Sequence, residues 1–369
     1  MIWNLFKIEK NWVMFFDLFS KNNNGDSIRP IAKRLRELHP EFRFFFVTSH
    51  KKKKQNKTVE MADEVLIEKS LRFKYILSKC KYVISPMGFP EKGRKKEGQV
   101  FVQAPHGTPI KKVYLARDKD NKKFKKYVKQ FSSADIYCSQ SEESTLSTKT
   151  AYGVNESVFI KSGFPRNDIL FNANEKFKND LKEKLCLPLD KKIILYCPTW
   201  RRYDYKAILP FDLAEMKKKL SKDYIILIRS HVGKHSWVNE KNQPVNIFDN
   251  EFSFDGGIHS EISELYTITD IAISDYSSAI FDFAITKKPQ ILYIYDLEEY
   301  EKEFGLFFDY KTFTPFPKPK DTEHLIESIL NYPNIKYEYD SFVNKYLNYE
   351  KGDATEKVIS AMLKQANLD

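Results

Sequence analysis

The stretch DIAISDYSSAIFDFA, Asp270 to Ala284, joins an apolar run to a turn holding Asp275, Ser277 and Ser278, then to an aromatic segment carrying Asp282. It reads as a strand that turns into a helix. That step recurs along the chain. Short β-rich runs alternate with helically patterned segments: WVMFFDLF, FRFFFVT, YVIS, QVFVQ and DIYCS come first, then KIILYCP, YIILIR, DIAIS and QILYIY. The runs are almost continuously apolar, the pattern of strands covered on both faces in parallel sheets flanked by helices. The fold class expected is therefore α/β. A polar, Asn- and Lys-rich stretch, FNANEKFKNDLKEK from Phe171 to Lys184, separates the two series. It puts a domain boundary near Ile169 to Asp180, with one domain over 1–170 and a second over 171–369, whose final helix is free to pack back on the first.

Length agrees with two domains, because 369 residues exceed what one ordinary core accommodates. Two packed domains would leave a cleft. With 42% hydrophobic and 15% aromatic residues, the chain has ample side chains to bury, which excludes a disordered class. Lys and Arg outnumber Asp and Glu by 61 to 50, and the +11 excess gathers in HKKKKQNK (His50 to Lys57), EKGRKK (Glu91 to Lys96) and NKKFKKYVK (Asn121 to Lys129). Nucleic acid, an anionic membrane surface and a phosphate-rich substrate all suit such a field, as does a plain solvated surface, and charge alone does not choose. Cys80, Cys138, Cys186 and Cys197 show no C-x-x-C spacing and lie in or beside apolar runs, so buried reduced thiols are expected rather than disulfides or a zinc site. The opening MIWNLFKIEKNWVMFFDLF is interrupted by Lys7, Glu9, Lys10 and Asp17, which argues against a signal segment or a membrane span. Any membrane contact is expected to be peripheral.

In doubly wound sheets ligands bind beyond the carboxyl ends of the strands, so motifs that leave strands carry the functional reading. QVFVQ runs into APHGTPIKK. His106 and Gly107 form a turn there, with Thr108 and Pro109 read as a helix start. A histidine titrates near neutrality and suits proton transfer, and the glycine lets a substrate approach the backbone. After SVFIK comes SGFPRNDIL, where Arg166 can fork onto phosphate oxygens while Asn167 and Asp168 can equally cap a helix. ILYCPTWRRYD and IILIRSHVG deliver Thr199, Trp200, Arg201, Arg202, Arg229, Ser230 and His231 at strand ends. In the opening stretch, Ser277 and Ser278 near a helix start offer donors for a phosphate, with N-capping as the structural alternative. GDSIRPIAKRLREL offers Asp26 or Ser27 as a helix N-cap. No G-x-x-x-x-G-K-[ST] or G-x-G-x-x-G occurs, which speaks against P-loop and simple dehydrogenase readings.

Taken in order, YVIS, QVFVQAPHGTPIKK, SGFPRNDIL, ILYCPTWRR, LIRSH, ITDIAISDYSSAIFDFAITKKPQILYIYDLEEY and GLFFDY resemble the motifs of the CDP-glycerol glycerophosphotransferase family, the teichoic acid primases and polymerases. The likeness runs from about Phe16 to about Tyr310. It implies a GT-B architecture, two Rossmann-like domains facing across a cleft. The first would face the acceptor and membrane, and the second would bind a CDP-alditol. It also implies attack by an acceptor hydroxyl on the β-phosphorus of CDP-glycerol, with release of CMP. Carried over by motif, His106 would be the general base and His231 would stabilise the breaking pyrophosphate. Arg166, Asn167, Ser277 and Ser278 would bind phosphate or alditol, and Asp275 and Asp282 would orient neighbours. Thr199 and Arg229, at strand ends in the same motifs, complete the expected substrate-binding set.

The resemblance implies a lipid-linked acceptor, so the basic runs would hold the chain at an anionic membrane from the cytoplasmic side. RDKDNKKFKKYVKQF is the first candidate for that surface. No cofactor, no protein-held metal and no nucleic acid are expected. The family pattern has Trp before the first histidine, where this chain has Pro105, and Pro after the second, where it has Val232. Phe304 and Gly305 stand where Arg-Gly is usual, and TPFPKP where Pro-Gly-Pro is common. These departures bear on substrate more than on fold. Ribitol phosphate in place of glycerol phosphate, a capsular polymer in place of wall teichoic acid, and primase or polymerase action all stay open. A GT-B glycosyltransferase using a nucleotide sugar and a non-enzymatic nucleic-acid-binding protein are the rival readings.

Overall fold

A computed structural model describes residues 5–18, 25–49, 61–91, 95–199, 201, 208–230, 237–238, 241, 243–332 and 339–367. His231, Trp200, Arg202, Val232 and the basic run His50 to Lys57 lie outside the described residues. The chain divides into two compact units, Met1–Asp168 with Lys345–Asp369, and Ile169–Asn344.

The first unit is built on β1 (Glu9–Phe15), β2 (Arg43–Thr48), β3 (Glu64–Ile67), β4 (Cys80–Ser85), β5 (Val100–Gln103), β6 (Ile136–Ser139) and β7 (Phe159–Lys161). All pair in parallel, in the order β3-β2-β1-β4-β5-β6-β7. Alternate side chains explain why so apolar a set of strands forms this sheet. Val13, Phe15, Phe44 and Phe46 pack on one face with Ile31, Leu35, Val358 and Met362 from two helices. Met14, Phe45 and Val47 pack on the other with Phe73 and Ile76. A period of two with both phases apolar leaves neither face for water.

The second unit contains β8 (Lys192–Cys197), β9 (Tyr224–Ile228), a small antiparallel ribbon of β10 (Trp237–Val238) and β11 (Pro244–Val245), then β12 (Ser253–Asp255), β13 (Ile271–Ser274) and β14 (Gln290–Leu292). Its parallel sheet has the order β12-β9-β8-β13-β14. Ile194, Tyr196, Ile226 and Ile273 take one face, and Ile193, Leu195, Ile225 and Leu227 the other. Leaving aside the ribbon, both units wind alike: the second and third strands lie to one side of the first, the fourth and fifth to the other. Each sheet therefore has a switch point, between β1 and β4 in one and between β8 and β13 in the other, where loops diverge and open a binding position.

The terminal helix Ala354–Ala366, expected from the spacing of DATEKVISAMLKQA, packs in the first unit's core. Its start is capped from a distance: Asp168 accepts hydrogen bonds from the N–H groups of Ala354 (2.9 Å) and Thr355 (2.8 Å). Three local expectations are corrected. Thr108 and Pro109 start no helix, because the Thr108 hydroxyl is bound between Ser144 (2.7 Å) and Gln140 (2.6 Å), which pins the loop to the segment after β6. Neither Asp26 nor Ser27 gives a side-chain cap to the helix Ile28–Leu38. Cys186 is exposed, while Cys80, Cys138 and Cys197 are buried, and all four thiols are free.

Candidate active site

In the first unit the site grows from the carboxyl ends of β1 and β5. β5 ends at Gln103 and the chain leaves the sheet through Pro105, His106 and Gly107, whose φ of +143° suits a residue without Cβ. His106 keeps 43% of its side chain exposed. Its Nδ1 lies 2.5 Å from Oδ2 of Asp26. Since a carboxylate only accepts, this contact puts the ring proton on Nδ1 and leaves the lone pair on Nε2, the tautomer a general base needs. The other Asp26 oxygen accepts from Nη1 of Arg166 (3.2 Å) and from the Ser27 N–H (2.7 Å). Burial alone would push the Asp26 carboxyl up. The charge of Arg166 and the bond and charge of His106 outweigh burial and hold it far below the usual carboxylate range. For His106 burial pulls down, but the bond to Asp26, the Asp26 charge and the charge of Asp17 prevail over burial and Arg166, so its pKa is raised.

Arg166 and Asn167 are both buried. The Arg166 guanidinium also donates to the Pro105 carbonyl at 2.9 Å and lies 4.6 Å from the centre of the Phe164 ring. Asn167 donates to Glu350 Oε1 at 3.0 Å, and the same oxygen accepts the Phe164 N–H at 3.1 Å. Gly163 lets Glu350 in: at φ +79° a Cβ there would stand 2.6 Å from Glu350 Oε2. Arg166 thus braces the loop carrying His106, and Asn167 with Glu350 holds the turn that carries Arg166.

In the second unit the site grows from the switch point itself. Asp275, directly after β13, receives the Thr199 N–H at 2.9 Å and the Thr199 hydroxyl at 2.5 Å on Oδ1, and Nη1 of Arg201 at 2.8 Å on Oδ2. Arg201 also clasps Asp296 with Nε (2.6 Å) and Nη2 (3.0 Å), while the Tyr276 hydroxyl donates to Asp296 at 3.1 Å. The guanidinium sits 5.0 Å from the rings of both Tyr276 and Tyr300. Thr199 and Asp275 are therefore committed inside a buried network that joins the loops after β8 and β13. Arg229 likewise holds backbone, donating to the carbonyls of Gly256 (3.1 Å), His259 and Ser260 (2.8 Å).

Ser277 and Ser278 are partly exposed just beyond this network. The Ser277 hydroxyl accepts the Ala279 N–H at 3.2 Å, and Ser278, the N-cap, makes no side-chain capping bond. The helix they precede, Ala279–Ala284, is only 6 residues long, so hydroxyls rather than a macrodipole would be its contribution to holding an anion. Asp282 is buried within it. Among the described residues no group of three or more His, Cys, Asp or Glu is arranged for a metal.

The family profile described as CDP-Glycerol:Poly(glycerophosphate) glycerophosphotransferase matches residues 1–364. The chain belongs to this family. Within the glycerophosphotransferases it is 32% identical over 372 residues to a teichoic acid poly(glycerol phosphate) polymerase of Bacillus spizizenii, covering 95% of this chain and 92% of that one. It is 30% identical to the polymerase of the same description from Bacillus subtilis, covering 96% of this chain but 49%, about half, of that relative's length. Among solved structures, the wall teichoic acid polymerase TagF superposes with a TM-score of 0.86 at 26% identity, covering 99% of this chain and 92% of that chain. The same polymerase has been solved as a histidine variant soaked with CDPG, matching at 0.84. The α/β fold of this chain is thus the GT-B type expected from its motifs.

Sequence reading passed over three groups. Asp26 carried only the meaning of a cap, Asp17 only that of a charge interrupting the apolar opening, and Arg201 was one strand-end cation among several. An acid directly after the apolar run WVMFF was the available signal for Asp17, whereas Asp26 follows the polar SKNNNG and carried none.

Proposed function

We propose that this chain transfers glycerol phosphate from CDP-glycerol to a hydroxyl of a lipid-linked acceptor, releasing CMP, in the synthesis of a teichoic acid or related polymer. The observation that carries this reading is the Asp26–His106 pair beyond the first sheet of a chain sharing the TagF fold over 99% of its length. His106 Nε2 takes the proton of the acceptor hydroxyl as its oxygen bonds to the β-phosphorus. The bond from that phosphorus to the bridging oxygen breaks, and CMP leaves with the electron pair. Phosphoryl transfer asks mainly for positioning and for positive or hydrogen-bonding groups around the phosphoryl oxygens.

Ser277 and Ser278 are assigned to the β-phosphate or the alditol. Thr199, Asp275, Asp282 and Arg229 act by fixing the backbone around them, Arg166 by bracing the base, Asn167 by holding the turn that carries Arg166, and His231 by stabilising the pyrophosphate linkage as it breaks to release CMP. The assignment of the first unit to the acceptor and membrane, and of the second to the CDP-alditol, follows from these roles. At the membrane, the helix Lys122–Val128 is the contact. Its start is capped by Asn121, and Lys122, Lys123, Lys125 and Lys126 are exposed. No helix among the described residues is long and apolar enough to cross a bilayer.

The test is to incubate the protein with CDP-glycerol, CDP-ribitol and UDP-sugars beside a lipid-linked acceptor and follow nucleotide release. CMP from CDP-glycerol is expected. CMP from CDP-ribitol alone would reassign the alditol, and UDP alone would replace the reaction with glycosyl transfer.

A further inference from the structure

We propose that Asp26 is the positioning residue for His106, and that Arg166 works as the clamp holding Asp26 rather than as a phosphate ligand. This rests on the reading of His106 as base.

The backbone is the first support. Asp26 takes φ +57°, in the left-handed region that non-glycine residues seldom occupy. Strain of this kind persists where surrounding contacts over-determine it, and it concentrates at functional positions. It is not explained by capping, since the following helix receives no side-chain cap. What the conformation achieves is a division of labour between the two carboxylate oxygens. Oδ2 faces His106 Nδ1 at 2.5 Å, and Oδ1 faces Arg166 Nη1 at 3.2 Å.

Arg166 supplies the second support. Its side chain is 4% exposed, and the nitrogen that binds Asp26 also binds the carbonyl of Pro105, the residue before His106. One guanidinium nitrogen thereby ties the carboxylate to the backbone that carries the base. A buried cation bound to a carboxylate and a carbonyl has its directions fixed, unlike an exposed ion pair. Among the described residues, the charged groups facing His106 are Asp26 before the first helix, Asp17 after β1 and Arg166 in the turn Pro165–Asn167. Two anions against one cation leave His106 with a raised pKa.

Asp26→Asn tests the assignment, because asparagine tolerates the left-handed backbone and keeps the size while removing the charge. With CDP-glycerol and acceptor, kcat is expected to fall roughly 10- to 100-fold, the scale for groups that orient a functional histidine. KM for CDP-glycerol should stay put, and the acid limb of the pH profile should move to lower pH. The ring nitrogens of His106, followed by NMR without substrate, should titrate at lower pH and lose the Nδ1–H preference. A wild-type kcat together with unmoved limb and titration overturns the proposal. Asp26→Glu keeps the charge but lengthens the arm. It should lose kcat with little movement of the limb, and a Glu variant as fast as wild type would equally overturn positioning. If the wild-type protein releases no CMP from any CDP-alditol, the reaction assigned above fails, and the ring titration still decides the pair.

Discussion

His106 works under charges of both signs, and their balance sets its pH behaviour. Because its pKa is raised, the neutral ring needed by a base is reached only above the ordinary histidine value of roughly 6.5. Turnover should therefore rise with pH through a midpoint above that value, a profile that initial rates across pH 5 to 9 would reveal. Stability follows the same charges with opposite edges. The depressed Asp26 contributes above the ordinary carboxylate range and is lost as pH falls through its lowered value; the raised His106 contributes below its ordinary value and is lost as pH rises through its raised one. The pair is most favourable in the acidic window between. His106→Ala should abolish nearly all CMP release while CDP-glycerol binding, measured by calorimetry, persists; normal turnover would take the base role from it. His106 was legible as the candidate base, since a histidine leaving a strand beside a glycine is an unusual combination. Its partners were not. Arg166 and Asn167 look outward in the sequence, but the groups that draw them inward, Pro105 and Glu350, come from distant positions in the chain.

At the scale of elements, Thr199 and Arg201 join the loops after β8 and β13 on Asp275, and Arg201 carries the link on to Asp296 after β14. The Arg201 side chain is 6% exposed, against 2% for Asp275 and 10% for Asp296. Burial would lower its pKa, but the two carboxylates prevail and keep it charged. Replacing it by Met leaves two buried carboxylates without their cation, a change on the order of 3–5 kcal/mol. A large fall in the denaturant midpoint is expected, and a fall below 1 kcal/mol would show that water reaches the network. A smaller effect belongs to Asp168→Ala, which uncaps the terminal helix. About 1 kcal/mol should be lost, with faster hydrogen exchange at the amides of Ala354 and Thr355. The interior strands were readable because doubly covered strands are almost wholly apolar. β3 and β12 escaped notice for the converse reason: they are short edge strands, EVLI with one of its four residues buried and SFD three residues long, and their identity comes from pairing with β2 and β9.

Over the whole molecule, the +11 charge acts as a field whose local expression is testable. The helix Lys122–Val128 rests on stacked rings, with Tyr114 and Tyr127 centred 4.8 Å apart, so its lysines project from a firm base. Changing Lys122, Lys123, Lys125 and Lys126 to Gln should weaken binding to phosphatidylserine-containing vesicles, at about 1 kcal/mol for each lysine that reaches the surface, with the difference shrinking as salt is added. Unchanged sedimentation with vesicles would move the contact to another basic run. The chain's path through its two units has a consequence for its birth. The first unit begins at the amino end, yet the helix Ala354–Ala366, which completes its core, is made after the whole of Ile169–Asn344. On a ribosome the second unit is available to fold first, while the first waits with Phe44, Phe46 and Ile31 uncovered for on the order of ten seconds or more. The unit that carries His106 thus completes its core after the other has been made, and a chain stopped before Ala354 would hold His106 on an unfinished sheet.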